Sequence, residues 1–588
     1  MPEMSPEAAA FNNATFARIF NEIGAMLELK GESPFKVRAY RTAADTFANL
    51  HEDIKKVWQE GRVNELPGVG KAITDKVDEL MRTGHLRFHE RLLNEVPPSL
   101  IALVDIPHVG PKKAMFMYQN LGIQGIADLE KALEDGRLLT LPGFGEKTVE
   151  SIKEGLEILQ KRSAEKRDLL GTALPVARQM MALMREQCKT LHKLEVAGSV
   201  RRWKPTVGDM DFLATADDVQ EVLDCFVNLP MVGLVDLRGA NKASVRLHNG
   251  IQVDMYVMDP KYYHSLLQHF TGSREHNIEL RDRAIRMGMK LNEYGLHRDN
   301  GEPIPIESEA DIYRALGLDW MSPEMRENRG EIEAAERGKL PTLIEMDDIK
   351  GDLHVHSTWS DGAESILDMA RAAQKRGYKY VAITDHSQSL TIARGLTIQR
   401  LQAQRREIEA AQKALGDSIR IFHGTEMEIK PDGSLDFPDE VLEWLDIVIA
   451  SVHSGLRQPG EEVTRRTIGA IRNPHVDLIG HPTGRLINQR EPSGIDVGAI
   501  IREAVQTGTA LEINAAPDRL DLDDIYVLQA MRAGATLSID TDAHHRNNYD
   551  LMEYGVHIAR RGWATADRVL TTWPLDRLEA WLRGRGSR

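Results

Sequence analysis

Apolar residues recur at helical spacing from the start of the chain. Phe16, Ile19, Phe20, Ile23, Met26 and Leu27 form one stripe, and Phe35, Tyr40, Ala44 and Leu50 continue in a second amphipathic run. The pattern then breaks at three similar phrases: LPGVGKAITDKV from Leu66, IPHVGPKKAMFM from Ile106 and LPGFGEKTVESI from Leu141. Each is an apolar residue, a proline, a glycine-bearing turn and a helix start, which predicts repeated helix-hairpin-helix units. Beyond a charged helix ending near Arg167 the period changes. LEVAGS, MDFLA, VRLHN and IQVDMYVM read as strands of a mixed α/β region. The segment 324–347 is charged with few apolar anchors and reads as a linker. After it a single grammar repeats: a short apolar strand, a polar residue at its C-terminal end, then a helix-like stretch. Alternating β and α units of this kind predict a parallel barrel or sheet with its chemistry at the strand C-terminal ends.

Glycine in the hairpin phrases permits positive φ, so that backbone N–H groups at a helix N-terminus can grip a DNA phosphate without reading sequence. Gly68, Gly70, Gly110, Gly143 and Gly145 are the candidates, and His108 weakens the middle copy by standing where its siblings carry Gly68 and Gly143. One such phrase is any tight turn; three within one helical region favour non-specific DNA binding. The formal net charge of −15 excludes a globally basic DNA coat and leaves local contacts of this sort. Length, at 588 residues, implies several domains. No apolar run approaches membrane-spanning length and no basic-then-apolar leader opens the chain, so a cytoplasmic protein with no membrane partner is expected. The two cysteines, Cys188 and Cys225, form no CxxC and read as core thiols.

Two clusters of chemistry stand out. In GSVRRWKPTVGDMD, a Gly198–Ser199 turn and two arginines, Arg201 and Arg202, precede Asp209 and Asp211. If MDFLA is a strand, both carboxylates share a face, where they can hold Mg²⁺ beside a phosphate-neutralising turn. A surface turn with an accidental DxD is the alternative. Asp254, inward on IQVDMYVM, is a costly buried charge unless paired or metal-bound, and is a candidate third member. In HFTGSREHN, from His269 to Asn277, the TGS turn could hold a nucleotide's sugar and base face, or Ser273 could simply cap the next helix. The second cluster is the set of strand ends: His354, His356 and Asp361; Asp385 and His386; Glu426; His453; His481; Asn514; Asp542 and His544. The six histidines, two of the aspartates and the glutamate, at equivalent strand ends, suit two or three divalent ions. A nitrogen and oxygen set without thiolate fits Mn²⁺, Zn²⁺ or Fe²⁺, and such a centre suits phosphoester hydrolysis.

Together AGSVRR, GDMD, FTGSREHN, HVHSTWSDG, TDHS, GTEMEI, SVHSG, GHPTG and DTDAH resemble the bacterial family X DNA polymerases that carry a C-terminal PHP domain. The likeness runs from PFKVRAYRTAA to DTDAHH. It implies helix-hairpin-helix domains at 1–95 (lyase-like) and 96–165 (fingers), an α+β nucleotidyltransferase palm at 166–262, a small thumb at 263–323, and a distorted α/β PHP barrel of about seven strands at 348–588. It assigns Asp209, Asp211 and Asp254 to two Mg²⁺ ions, Ser199, Arg202 and Gly208 to the triphosphate, Phe270 and Gly272 to the sugar, and Asn277 and Arg281 to the minor groove. His354, His356, Asp361, His386, Glu426, His453, His481, Asp542 and His544 take the PHP family's metal positions, for two or three Mn²⁺ or Zn²⁺ ions. Lys76 matches the lyase lysine of repair members, the alternative being a phosphate contact. Two positions depart from the family: His269 replaces a tyrosine, and Tyr256 replaces an arginine that partners the aspartates. The expected function is gap-filling DNA synthesis from dNTPs on gapped or primed DNA by a monomer, with Mn²⁺-dependent 3′-5′ exonuclease activity and cutting at abasic sites. The alternatives are a nuclease whose palm only positions DNA, and a small-molecule phosphatase on a DNA-binding scaffold.

Overall fold

The computed structural model describes residues 5, 11, 13–48, 50, 54–66, 68–97, 100–104, 106, 109–164 and 167–584. The chain divides into two compact units, 1–166 and 167–588. The first is all helical. Asn13–Leu29 and Pro34–Ala48 pair through Phe16, Phe20, Tyr40 and Phe47, and one hydrophobic cluster continues from there to Leu156. The boundary at 95/96 therefore falls inside a continuous core. Each glycine phrase leads into a helix start: Gly70 caps Lys71–Thr83, Gly110 caps Pro111–Leu121, and Gly145 precedes Glu146–Ala164. Gly68 and Gly143 take left-handed φ of 73° and 85°, where a side chain is strained. His108 lies outside the described residues.

The second unit holds the palm, the thumb and the barrel. Strands Leu191–Val196, Asp209–Ala216, Gln252–Val257, Lys242–Leu247 and Val232–Arg238 lie side by side in that order. Strand alternation sends Met210, Phe212 and Ala214 into the core with Met180 and Phe226 of the helices behind. The opposite face carries Asp209, Asp211 and Leu213, with Leu213 packed under Tyr263 and Leu267. Val232–Arg238, an edge strand exposed at Leu234, Val235 and Leu237, has no apolar alternation to announce it. The thumb follows as helices Tyr263–Thr271, Arg274–Arg286 and Glu309–Ala315 with a hairpin between, around Leu280, Leu296, Tyr313 and Met321.

Seven parallel strands, from Gly351–Val355 to Leu537–Asp540, follow one another in chain order. Beyond the strand ends a Val355–Ala543 bridge nearly closes them into a barrel. The stretch 324–347 does not act as a free linker. Its charges are its anchors, each buried against a partner: Glu324 with His557 and Arg560, Arg326 with Glu309, Glu327 with Arg202 and Arg561, and Glu331 with His276. The barrel helix Met552–Arg561 supplies half of those partners and adds a stack of His557 on Trp203, ring centroids 3.5 Å apart.

Candidate active sites

In the palm, Asp211 and Asp254 are direct partners in the parallel pairing of their strands, and Asp209 lies two residues before on the same face. Three carboxylates thus converge. Burial, then Asp209 and Asp254, push the Asp211 carboxyl up to about 7, against Lys242. Asp254 Oδ1 is buried with no hydrogen-bond partner. Crowded like charges and an orphaned oxygen fit a site built for divalent cations.

Lys242, on the neighbouring strand, places Nζ 2.7 Å from Asp254 Oδ2 and donates to the Tyr256 hydroxyl at 2.8 Å. It supplies the positive charge that the Tyr256 departure removes from the expected pattern. Sequence reading missed it because the two meet only through the Lys242–Tyr256 cross-strand pair. Phe270 lies against Tyr256 with ring centroids 4.6 Å apart, and His269 lies edge-on to Phe270.

Gly198, at φ 60°, opens the helical turn Gly198–Arg201 that carries Ser199, and a Cβ there would lie 3.1 Å from Asp211 Oδ2. Gly208 immediately precedes the Asp209 strand. Arg202 is nearly buried, its Nε donating to Glu327 at 3.0 Å and its Nη1 to the Thr271 carbonyl, beside Gly272. Ser273 caps the thumb helix by accepting from His276 N at 3.2 Å. Asn277 donates to the His269 carbonyl and accepts from Gln268, while Arg281 donates to the Asn277 carbonyl. In the helical unit, Lys76 Nζ stands 5.0 Å from the Phe88 ring centroid and 5.8 Å from that of Tyr40. Burial is the leading cause that lowers its pKa.

The nine PHP residues all meet. Glu426 is the hub: Oε2 lies 3.3 Å from His354 Nε2 and 2.8 Å from His386 Nδ1, and Oε1 lies 3.2 Å from His453 Nε2 and 2.9 Å from His481 Nε2. Asp542 Oδ1 lies 3.1 Å from His356 Nε2, and Asp361 reaches His386 and His544. Three groupings have ligand atoms close enough to share an ion: His356, Asp361, His386 and His544; His354, His356 and Asp542; His386, Glu426 and His453. Although they crowd together, His354 Nε2, both His356 nitrogens, both Glu426 oxygens and Asp542 Oδ1 make no hydrogen bond. Burial opposes it, yet Glu426 draws His386 up to about 10 and His453 up to about 9. Burial and neighbouring histidines hold His356 down to about 3. The buried carboxylates thus attract positive charge to this centre, and the orphaned ring nitrogens and carboxylate oxygens fit divalent ions in that role.

Outer partners orient this set. Glu512, fully buried, accepts from His354 Nδ1 at 2.6 Å, and Glu428 accepts from His453 Nδ1 at 2.8 Å, each fixing a ring so that Nε2 faces inward. Asn514 donates to Asp542 at 3.1 Å. Asp385 stands apart from the ligand cluster: it accepts from Ser357 and Ser360 and pins the loop that carries Asp361. Arg519 places Nε 4.0 Å from Asp542 at the rim, a cation suited to a phosphate. Glu428, Glu512 and Arg519 were missed from the sequence; a second carboxylate two residues from each strand-end ligand or amide was the available signal.

Known proteins share these elements. Residues 11–86 match a helix-hairpin-helix domain and 100–157 a SAM-like helix-hairpin-helix tandem. Residues 266–327 match the DNA polymerase beta thumb and 352–516 the PHP domain. The chain is 40% identical over 569 residues to the DNA polymerase/3'-5' exonuclease PolX of Bacillus subtilis (strain 168), covering 96% of this chain and 98% of that protein. A probable phosphatase of Thermoanaerobacter sp. (strain X514) is 31% identical over 233 residues, 38% of this chain and 89% of its own. One of Syntrophotalea carbinolica is 33% identical over 169 residues, 28% and 64% respectively.

Proposed function

The chain belongs to the family X DNA polymerases with a C-terminal PHP domain, and we propose that it fills short gaps in DNA at the palm and trims 3′ ends at the PHP centre. The carrying observation is the register that sets Asp211 beside Asp254 with Asp209 on the same face. Those three carboxylates would hold two Mg²⁺ ions, and the nine PHP residues two or three Mn²⁺ or Zn²⁺ ions. Held there, such ions would lower the pKa of the attacking oxygen and neutralise charge on the phosphorus oxygens and the leaving group.

The protein's own part is placement. Ser199, Arg202 and Gly208 would receive the triphosphate of a dNTP, and Phe270, resting on Tyr256, would meet the sugar. Asn277 and Arg281 would face the minor groove after Asn277 leaves its present bonds to Gln268 and His269. At the PHP centre, Glu512 and Glu428 keep two rings oriented, and Arg519 would contact the scissile phosphate. The hairpin glycines would hold the duplex by phosphates. Lys76, partly buried against Phe88 and Tyr40 with its pKa lowered by that burial, would serve as the nucleophile toward a 5′-deoxyribose phosphate, which requires the neutral amine, or as a phosphate contact. Borohydride trapping of that substrate, lost in Lys76→Ala, is the corresponding test. The protein would act as a cytoplasmic monomer; among the described residues no helix is long and apolar enough to cross a membrane.

Extension of a gapped primer with Mg²⁺ and dNTPs tests the palm reading: Asp254→Ala abolishes extension, and unchanged extension refutes it. A phosphatase reading is favoured by the two partial relatives alone. Turnover of a phosphate monoester with none of DNA would replace the exonuclease assignment.

A further inference from the structure

Of the barrel side chains that reach the palm, one bears on the arginine assigned to the triphosphate. Arg561, at the end of helix Met552–Arg561, is fully buried. Its Nη1 donates to the backbone oxygen of Arg202 at 2.5 Å and to the Glu327 carboxylate at 3.0 Å, and its Nη2 donates to Asp524 at 2.5 Å. Glu327 also accepts from Arg202 Nε at 3.0 Å and has Lys204 Nζ at 3.5 Å. Burial pushes the Glu327 carboxyl up, but Arg561, Arg202 and Lys204 bring it down to about 2. One buried carboxylate is therefore shared by three cations, and one of the three is the arginine assigned to the triphosphate.

Arg202 gives Nε to Glu327 and Nη1 to the Thr271 carbonyl, so Glu327 competes with an incoming triphosphate for the charge and the orientation of its guanidinium. When it turns to phosphate, Glu327 must remain paired, because a buried carboxylate stripped of partners is strongly unfavourable. Arg561 is held where it can keep that pairing. Asp524 fixes its other nitrogen, Arg329 supports Asp524 at 3.0 Å, and neither lies on the palm. We propose that Arg561 of the PHP domain is a positioning residue for nucleotide binding, holding Glu327 so that the Arg202 guanidinium is released to the triphosphate. The proposal rests on the reading of Arg202 given above. It makes dNTP affinity depend on a domain that carries a different active site.

The test uses the full-length chain, a gapped duplex and Mg²⁺. Arg561→Met leaves Glu327 to Arg202 and Lys204, so the KM for dNTP rises about tenfold with kcat little changed, a coupling of ordinary size for linked sites. Arg561→Lys restores part of the affinity. Adding Glu327→Gln to Arg561→Met returns KM toward the wild-type value, since no charge remains to retain Arg202, whereas damage to the fold alone would not be repaired by a second core substitution. Glu327→Gln by itself keeps Arg561 and gives a KM at or below that of the wild type, which keeps the idea testable if Arg561→Met fails to fold. An unchanged KM in a folded Arg561→Met, a double variant no better than the single, or a raised KM in Glu327→Gln overturns the proposal. Arg202→Ala separates the two levels. A wild-type KM there refutes the triphosphate reading itself, while a raised KM beside a silent Arg561→Met refutes only the role of Arg561.

Discussion

Glu512→Gln replaces a carboxyl beneath the PHP centre with an amide and changes almost no volume. Glu512 is fully buried, and His354 Nδ1 donates to its Oε1 at 2.6 Å. Burial pushes the Glu512 carboxyl up to about 8, against His354, so the contact with that ring is the main influence favouring its charged form. With Gln the carbonyl oxygen can still accept from Nδ1, but as a neutral hydrogen bond of roughly half the strength. Its amide nitrogen then meets Asn514 Nδ2, which now donates to Glu512 Oε2 at 3.4 Å, so two donors face each other. The His354 ring loses both basicity and a unique orientation, while the inward nitrogen keeps its place. Loss of such an outer partner typically costs about 10- to 100-fold in metal affinity, or about 1.4 to 2.7 kcal/mol. The assay is degradation of a labelled DNA strand across a Mn²⁺ titration. The half-saturating Mn²⁺ concentration rises by that factor, most of the rate returns at saturating metal, and Mg²⁺-dependent primer extension stays at the wild-type level. A Mn²⁺ dependence within about twofold of wild type refutes the positioning role.

Other outcomes follow from the same geometry. Gly68→Ala and Gly143→Ala each incur about 1–2 kcal/mol of left-handed strain, and both weaken binding of gapped DNA by fluorescence anisotropy. Only at Gly68 would the new Cβ also meet Thr42, at 2.4 Å, so that variant melts lower; equal melting temperatures contradict this. Glu309, Glu327 and Asp524 are buried with carboxyls held at about 2, below their ordinary values. Because the folded pKa is the lower one, their stabilisation, on the order of 3 kcal/mol each, is complete above the ordinary carboxylate range and is lost as pH falls from about 4 toward 2. Chemical denaturation of the chain at pH 7 and pH 3 measures it, and equal stabilities would contradict the seam. Mn²⁺ raises the melting temperature of the wild type, and chelation or His354→Ala lowers it by mass action; a melting curve indifferent to metal would count against the cluster.

The barrel was legible because its chemistry repeats. Six of its seven short apolar strands lead into a histidine or carboxylate, so the candidate ligands, from which the family resemblance picks nine, could be named without knowing how strands pair. Asp209 and Asp211 were legible for a similar local reason, the alternation along one strand. What escaped is non-local. Lys242 reaches Asp254 only through a neighbouring strand, and Glu512 lies in a strand where alternation reads as core. The seam from Glu324 to Glu331 looked like a linker because its anchors are ionic, and the partners that explain them, Asp524, His557, Arg560 and Arg561, stand hundreds of residues later. Charge in a sequence marks exposure unless the partner is known.

Two separate centres on one chain form the central claim, and a single 5′-labelled gapped duplex tests it with Asp211→Asn and Glu426→Gln beside the wild type. Asp211→Asn should give no extension with Mg²⁺ and dNTPs yet still shorten the primer with Mn²⁺, and Glu426→Gln should do the reverse. Extension that survives Asp211→Asn, or shortening that survives Glu426→Gln, would contradict the account.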